Sequence, residues 1–385
     1  MTDLKWSEYD FTKIPYEDLV RVGQRSMLYR DMFTVSWLLG RFCNYKCSYC
    51  WPYARSDRKD HRPTELCLKT IDEIKRQARG NGFNSFHFSL SGGEPTFHPG
   101  YLDILEHLAN GVPDTNYTSV HMTSNCSRNM KWFETYVGHA SRFHRASITA
   151  SLHVEHLSTP EKLADFGDKL DFCQQHDIQI TINMVMVPGN FDVYYENALY
   201  FHERGINVTL KPQSDPTASK VVDGYTEDML AKLHNGMPQR AFTESKNKHV
   251  TRPVPTFMKA PDPIYKNFEA DNVPQHFQIE FKDNKHKEWY MDQAERFNAF
   301  NFNKFNGWEC SSGMRSIIIR EPDGTIKRSY SCADVPLGQI ETGFKLFDKP
   351  VKCISNSCVS SADSKIPKRA PGTKLPLFPG DTSYD

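Results

Sequence analysis

From Phe33 to about Gln213, short apolar stretches alternate with amphipathic stretches of roughly ten to fifteen residues, the signature of an α/β parallel sheet covered by helices. The pattern predicts strands at Phe33 to Leu38, Ser85 to Leu90, Thr118 to Thr123, Ala146 to Leu152, Ile178 to Val187 and Asn207 to Pro212. Each is rich in residues that suit a pleated, half-buried surface. Between the first two strands, Leu66, Cys67, Leu68, Ile71, Ile74 and Ala78 form an apolar helical stripe, which makes Cys67 a core residue. Another helix starts at Thr159-Pro160-Glu161, where a hydroxyl cap precedes proline at the first helical position. Leu163, Phe166, Leu170 and Cys173 follow at helical spacing, so Cys173 is also read as core.

Beyond Gln213 the periodicity fades. P-Q-S-D-P from Pro212, then R-P-V-P-T and K-A-P-D-P-I, surround one helix at Thr226 to His234, and residues 214–276 read as a connecting or lid region. A hairpin is predicted from Phe277 to Phe281 and Glu288 to Tyr290, and a second from Ser316 to Ile319 through a Pro-Asp-Gly turn. After Asp363 the chain has no periodicity and is expected to be extended and partly mobile. The organisation is therefore 1–32, an N-terminal extension; 33–213, the α/β core; 214–276, the connection; 277–363, a small cysteine-rich domain; and 364–385, the tail.

Lys plus Arg equals Asp plus Glu at 47 each, and no basic block interleaves with aromatics, so no nucleic-acid surface is expected. No apolar run approaches a membrane span, and the first residues lack the apolar core of a signal peptide. A cytoplasmic protein is expected, in which ten cysteines are metal ligands, catalytic groups or small buried residues rather than disulfides.

Three of those cysteines stand in C-N-Y-K-C-S-Y-C-W: Cys43, Cys47 and Cys50. Three thiolates on one tight loop can hold three irons of a cubic 4Fe-4S cluster and leave the fourth open, whereas a closed structural metal site wants four ligands. Some forty residues on, S-G-G-E-P follows the second predicted strand. With these motifs the chain resembles the radical S-adenosylmethionine (SAM) superfamily. The resemblance implies a partial barrel of six strand-helix units, with SAM chelating the open iron. It also implies Tyr49 near the adenine, Gly92 and Gly93 allowing close approach to the ligand, Glu94 helping to hold the methionine ammonium, and Ser124, Asn125 and Ser151 on the ribose and carboxylate. The competing readings are a zinc knuckle for the three cysteines, with Cys67 or a distant His as fourth ligand, and helix caps for Ser124, Asn125 and Ser151. His153, Asn183, Lys211 and Gln213 also lie near strand ends and could face a substrate.

A second set, Cys310, Cys332, Cys353 and Cys358, lies beyond the α/β core. Its hairpin, its L-G-Q-I at Leu337 to Ile340 and its closing C-I-S-N-S-C resemble Twitch, the short, SPASM-like appendage that binds one auxiliary 4Fe-4S cluster. Four cysteines can equally hold a zinc ion. The expected function is reductive cleavage of SAM to a 5'-deoxyadenosyl radical that abstracts hydrogen from a small polar metabolite, the auxiliary cluster assisting oxidation and a flavodoxin or ferredoxin donating electrons. The alternatives are maturation of a ribosomally made peptide, and a zinc-binding structural or interaction protein.

Overall fold

The computed structural model describes residues 16–24, 32–216, 220–242, 249–255, 277–281, 303–320, 323–332, 336–358, 363, 366–374 and 377. The chain divides into two units: one is Met1–Ser36, Thr70–Phe86 and Ala260–Asp385, the other Trp37–Lys69 and His87–Lys259.

Strands β1 (Leu19–Gln24) and β2 (Met32–Leu38) come first. An alternation follows: α1 (Thr64–Gly80), β3 (Ser85–Ser91), α2 (Tyr101–Asn110), β4 (Tyr117–Ser124), α3 (Met130–Ala140), β5 (Arg145–Ser151), α4 (Pro160–Gln175), β6 (Gln179–Met186), α5 (Phe191–Glu203), β7 (Asn207–Pro212) and α6 (Glu227–Asn235). Strands β2 to β7 are the six predicted, each end within one residue of its expected place. Strands β4 to β7 pair in parallel, so the fold is a mixed α/β one built on a parallel-strand sheet. Thr159 caps α4 by accepting from the Lys162 N–H with Pro160 in the first turn, and Thr226 caps α6 by accepting from Met229. Cys67 and Cys173 are buried in α1 and α4 as expected.

The strands of the second unit are two-faced. Phe88, Leu90, Val120, Met122, Ile148 and Ile180 are buried, and α4 and α5 pack on β6 and β7. The intervening positions carry His87, His121, Ser147, Thr149, Thr181 and Asn183, all half-buried. The register sets His121 beside Ser147 and Thr149 beside Thr181, and places Ser151 beside Asn183. His87 and His121 each reach the neighbouring strand through Nδ1, to Ser119 Oγ and Ser147 Oγ at 2.8 Å. A period of two thus gives this sheet an apolar face and a polar one.

The stretch expected to be irregular holds an antiparallel pair, β8 (Pro238–Phe242) with β9 (His249–Pro255). The first unit then adds β10 (Phe277–Phe281), β11 (Glu309–Cys310), β12 (Ser316–Ile319), β13 (Thr325–Lys327), β14 (Gly338–Gln339), β15 (Gly343–Phe344), β16 (Val351–Lys352) and β17 (Lys368–Arg369). Strands β12 and β13 pair antiparallel, as the second predicted hairpin requires. Two further expectations concern this unit. Phe277 to Phe281 pairs with β1, supplied by the N-terminal extension, while its predicted partner, Glu288 to Tyr290, lies outside the described residues. The tail, expected to be extended and partly mobile, inserts β17 between β1 and β11, giving the order β10-β1-β17-β11-β16. Strand pairing over such separations leaves no local periodicity to read.

Candidate functional site

The cysteine loop follows the end of β2 and is fastened at both ends by backbone hydrogen bonds. Ser56 N donates to Arg41 O at 2.6 Å and Cys43 N to Ser56 O at 3.2 Å, while Cys50 N closes a turn on Cys47 O. The S-G-G-E-P turn packs directly on its base: Gly93 N donates to Gly40 O at 2.8 Å and Glu94 N to Phe42 O at 2.6 Å. These contacts explain the two glycines. A Cβ on Gly92, whose φ is +135°, would stand 2.3 Å from Gly40 O, and one on Gly93 would stand 2.3 Å from both Arg41 O and Phe42 O. The close approach they permit is to the backbone of the cysteine loop itself.

Glu94 is 2 % exposed, and its carboxylate is tied to three residues. Its Oε1 accepts from Thr96 N at 3.2 Å, Thr96 Oγ1 at 2.7 Å and Ser124 Oγ at 2.8 Å; its Oε2 accepts from Asn125 N at 2.6 Å. Burial raises its pKa, and the hydrogen bonds pull against that rise. Asn125 carries the link onward, its Nδ2 donating to Asn44 Oδ1 at 2.9 Å within the cysteine loop and its Oδ1 accepting from Ser127 N. Helix α3 is capped by Asn129, so neither Ser124 nor Asn125 has the helix-capping role. Cys126, next in line, holds a φ of +55°, a conformation uncommon outside glycine.

A third segment, at the end of β5, docks on the same loop. Ser48 N donates to Glu155 Oε2 at 2.8 Å, with a second bond from Ser48 Oγ to Glu155, and Lys46 N donates to His156 Nε2 at 3.3 Å. The His156 ring stacks on Tyr45 with centroids 4.1 Å apart. Tyr49 packs on His153, its hydroxyl 2.7 Å from His153 Nδ1, and burial holds His153 down to about 4 and therefore neutral. Ser151 sits half-buried on the polar face two residues before. Sequence reading missed Glu155 and His156: the run H-V-E-H concentrates polar groups after a strand, but no spacing rule joins it to cysteines over a hundred residues away.

Burial pushes the Cys43 thiol up to about 11 and the Cys47 thiol up to about 12, and raises Cys50 as well. Among the described residues, the one group of three or more candidate ligands whose atoms lie within 4.8 Å of one another is Cys47, Glu155 and His156. Thiolates sharing one zinc ion stand about 3.8 Å apart, given Zn–S bonds near 2.3 Å. Neither Cys43, Cys47 and Cys50 nor the four later cysteines are gathered that tightly. Cys67, 3.9 Å from His98 Nε2 in the core, stands outside the Cys47 group.

In the first unit, Cys310, Cys332, Cys353 and Cys358 are all buried. Their thiols act electrostatically on one another: Cys310 with Cys332 and Cys353, and Cys358 with Cys310 and Cys353. Backbone bonds set the chain around them. Cys353 N donates to Trp308 O, Gly307 N to Cys353 O and Cys358 N to Asn303 O, each at 2.7 Å. Ser329 Oγ lies 3.0 Å from Cys332 Sγ. Four soft thiols are the donor chemistry of a four-ligand centre, as three thiols on one loop are that of a cluster with one open position.

Among known proteins, residues 37–211 match the Radical SAM superfamily. GTP 3',8-cyclase of Alkaliphilus oremlandii (strain OhILAs) is 30 % identical over 79 residues, which is 20 % of this chain and 24 % of that protein's length. Among solved structures, native anSMEcpe with bound AdoMet and Kp18Cys peptide is 13 % identical with a TM-score of 0.48, over 81 % of this chain and 79 % of that one. The same protein with AdoMet and Cp18Cys peptide is 12 % identical with a TM-score of 0.48, over 81 % and 78 %. No helix among the described residues is long and apolar enough to cross a membrane. Residues 37–211, the part of the chain that matches the Radical SAM superfamily, contain Cys43, Cys47 and Cys50 together with the Gly-Gly-Glu turn that packs on their loop at the end of a parallel-strand sheet.

Proposed function

We propose that this chain is a radical SAM enzyme acting on a small polar substrate, with Cys43, Cys47 and Cys50 holding a 4Fe-4S cluster and Cys310, Cys332, Cys353 and Cys358 holding an auxiliary one. The observation that carries the reading is the three-way fastening of one tri-cysteine loop by the Gly-Gly-Glu turn, the Ser124-Asn125 turn and the Glu155-His156 turn. When bound, the open-sited cluster supplies the electron that splits SAM into methionine and a 5'-deoxyadenosyl radical, which takes a hydrogen atom from substrate.

The residues of the chain hold and enclose. Glu94 fixes the turn and keeps one acceptor position on Oε2 for the methionine ammonium, since a carboxylate offers about four lone-pair sites. Ser151 and Asn183 project beside each other from adjacent strands and suit the ribose. Tyr49, stacked on neutral His153, forms an aromatic wall for the adenine and keeps water from the loop. The hydroxyl, amide and imidazole groups along the polar sheet face favour a small polar substrate over an apolar one. The second centre suits an electron sink, and a flavodoxin- or ferredoxin-type donor is the partner the first requires. Peptide maturation remains the second reading, and a polar sheet face does not discriminate against it.

Anaerobically reconstituted protein is expected to hold about eight irons and to release 5'-deoxyadenosine and methionine on reduction. Cys47→Ala should abolish release. Cys332→Ala with Cys353→Ala should remove about four irons and leave release of 5'-deoxyadenosine intact, while conversion of substrate fails. Equal release from wild type and Cys47→Ala would end this assignment, and stoichiometric zinc in place of the second four irons would make the later cysteines a structural clasp.

A further inference from the structure

The tail strand β17 carries a lysine into the interior. Lys368 is 1 % exposed, and its cross-strand partner in the β11 register is Cys310, so the two side chains leave the sheet on the same face. Its ammonium donates to Asp363 O at 2.6 Å and to Ile366 O at 2.8 Å, and lies 4.9 Å from the centroid of the Phe305 ring. The Asp363 carboxylate does not serve as its salt-bridge partner in this geometry. It accepts instead from Tyr330 N, Ser331 N and Ser331 Oγ. Cys358, Cys310, the Asp363 carboxylate and Cys353 all act electrostatically on the buried cation, and it acts on the three thiols. Arg328 adds a second, weaker cationic influence on Cys353.

Burying an ammonium costs several kcal/mol unless an opposite charge compensates it. Two backbone carbonyls and a ring face satisfy its hydrogen bonds but carry no net charge. The nearby Asp363 carboxylate offsets part of that cost, and a negatively charged centre bound at Cys310, directly across the sheet from Lys368, would offset the rest. We propose that Lys368 is the counter-charge of the second cysteine centre, its ammonium offsetting the negative charge of the bound cluster and holding that cluster's reduction potential up. One-electron reduction adds a unit of negative charge to a centre that is already anionic, and a fixed buried cation favours the more negative form; net charge and hydrogen bonding are the levers by which a protein sets such potentials. The electron is supplied by the oxidised substrate radical in turnover, or by dithionite in a titration. The tail is thereby a functional part of the auxiliary centre, which the first unit completes only when residues 366–369 are in place.

The inference rests on the reading of the second centre as an iron-sulfur cluster, and one experiment separates the two. Reconstituted full-length protein carrying Lys368→Gln, Lys368→Met or Lys368→Arg is assayed for iron and zinc, then titrated with dithionite against mediator dyes while the two clusters are followed by electron paramagnetic resonance. The second cluster of Lys368→Gln and Lys368→Met should be harder to reduce by tenfold or more in its one-electron equilibrium, a fall of about 59 mV per factor of ten. Lys368→Arg should stay near wild type and the first cluster should not move. Loss of the second four irons from the neutral variants, with retention in Lys368→Arg, supports the same role. An unchanged potential in Lys368→Gln with both clusters present refutes the inference alone, as does cluster loss shared by all three variants, which would make Lys368 a packing residue. Zinc with only four irons in wild type refutes the inference together with the reading beneath it.

Discussion

Removing the Glu94 carboxylate tests whether it is a hub of the site or only a ligand residue. In Glu94→Ala the fixed backbone N–H groups of Thr96 and Asn125 lose their side-chain acceptor in a dry interior, while the hydroxyls of Thr96 and Ser124 can rotate elsewhere. Each buried donor left without a partner costs about 1–3 kcal/mol, so the variant should lose about 2–6 kcal/mol. Glu94→Gln keeps the shape and one acceptor oxygen but sets an amide N–H against a donor, costing about 1–3 kcal/mol. At about 2–4 °C per kcal/mol for a domain of this size, Glu94→Ala should unfold roughly 5–20 °C earlier and Glu94→Gln roughly 2–10 °C earlier. Far-UV circular dichroism melts of metal-free wild type and variants, paired with equilibrium dialysis of SAM on the reconstituted proteins, read both consequences. SAM affinity should fall along with Tm, because the turns that face the ligand lose their common anchor. A SAM defect with an unchanged Tm would refute the hub argument and leave Glu94 as a ligand residue whose donors find other partners.

Gly93→Ala places a methyl 2.3 Å from two carbonyl oxygens of the cysteine loop, where backbone cannot yield cheaply, so iron analysis should show loss of the first cluster and retention of the second; Gly138→Ala, with nothing within 4 Å, is the neutral control. His121 and His98 are each held down to about 4 by burial, against a usual value near 6.5. Between those values the unfolded chain binds more protons than the native one, so stability rises with pH over about 4 to 6.5 and is lost on acidification through that window. Urea midpoints measured across it should slope less steeply in His121→Gln than in wild type, and parallel slopes would show that His121 titrates normally in the fold.

Much of the α/β core was legible because its information is local. Six apolar runs separated by amphipathic helices announce themselves within windows of a dozen residues, and Thr159-Pro160 marks a helix start through its own two residues. The motif cysteines and the Gly-Gly-Glu turn were legible for a related reason, since chemistry that needs three thiolates on one loop writes them close together. The roles inside the motif were less so. The glycines read as space for a ligand, yet their Cβ positions are filled by carbonyls of residues 40–42. Ser124 and Asn125 also read as helix caps, a role that Asn129 takes, and the fold joins the two to Glu94 and Asn44.

By itself, the sequence determined the element types and their succession from Phe33 to Pro212 and the identity of the thiols, because periodicity, capping and motif spacing act over a few residues. Tertiary structure alone decided which distant segments meet. The extension and the tail became neighbouring strands β1 and β17, and the latter set Lys368 directly across from Cys310. The H-V-E-H turn reached the cysteine loop, and the strands' even alternation became a polar wall only once the parallel register aligned it. Such pairings are set by loop closure and by the burial of whole faces, free energies that belong to no short stretch of chain.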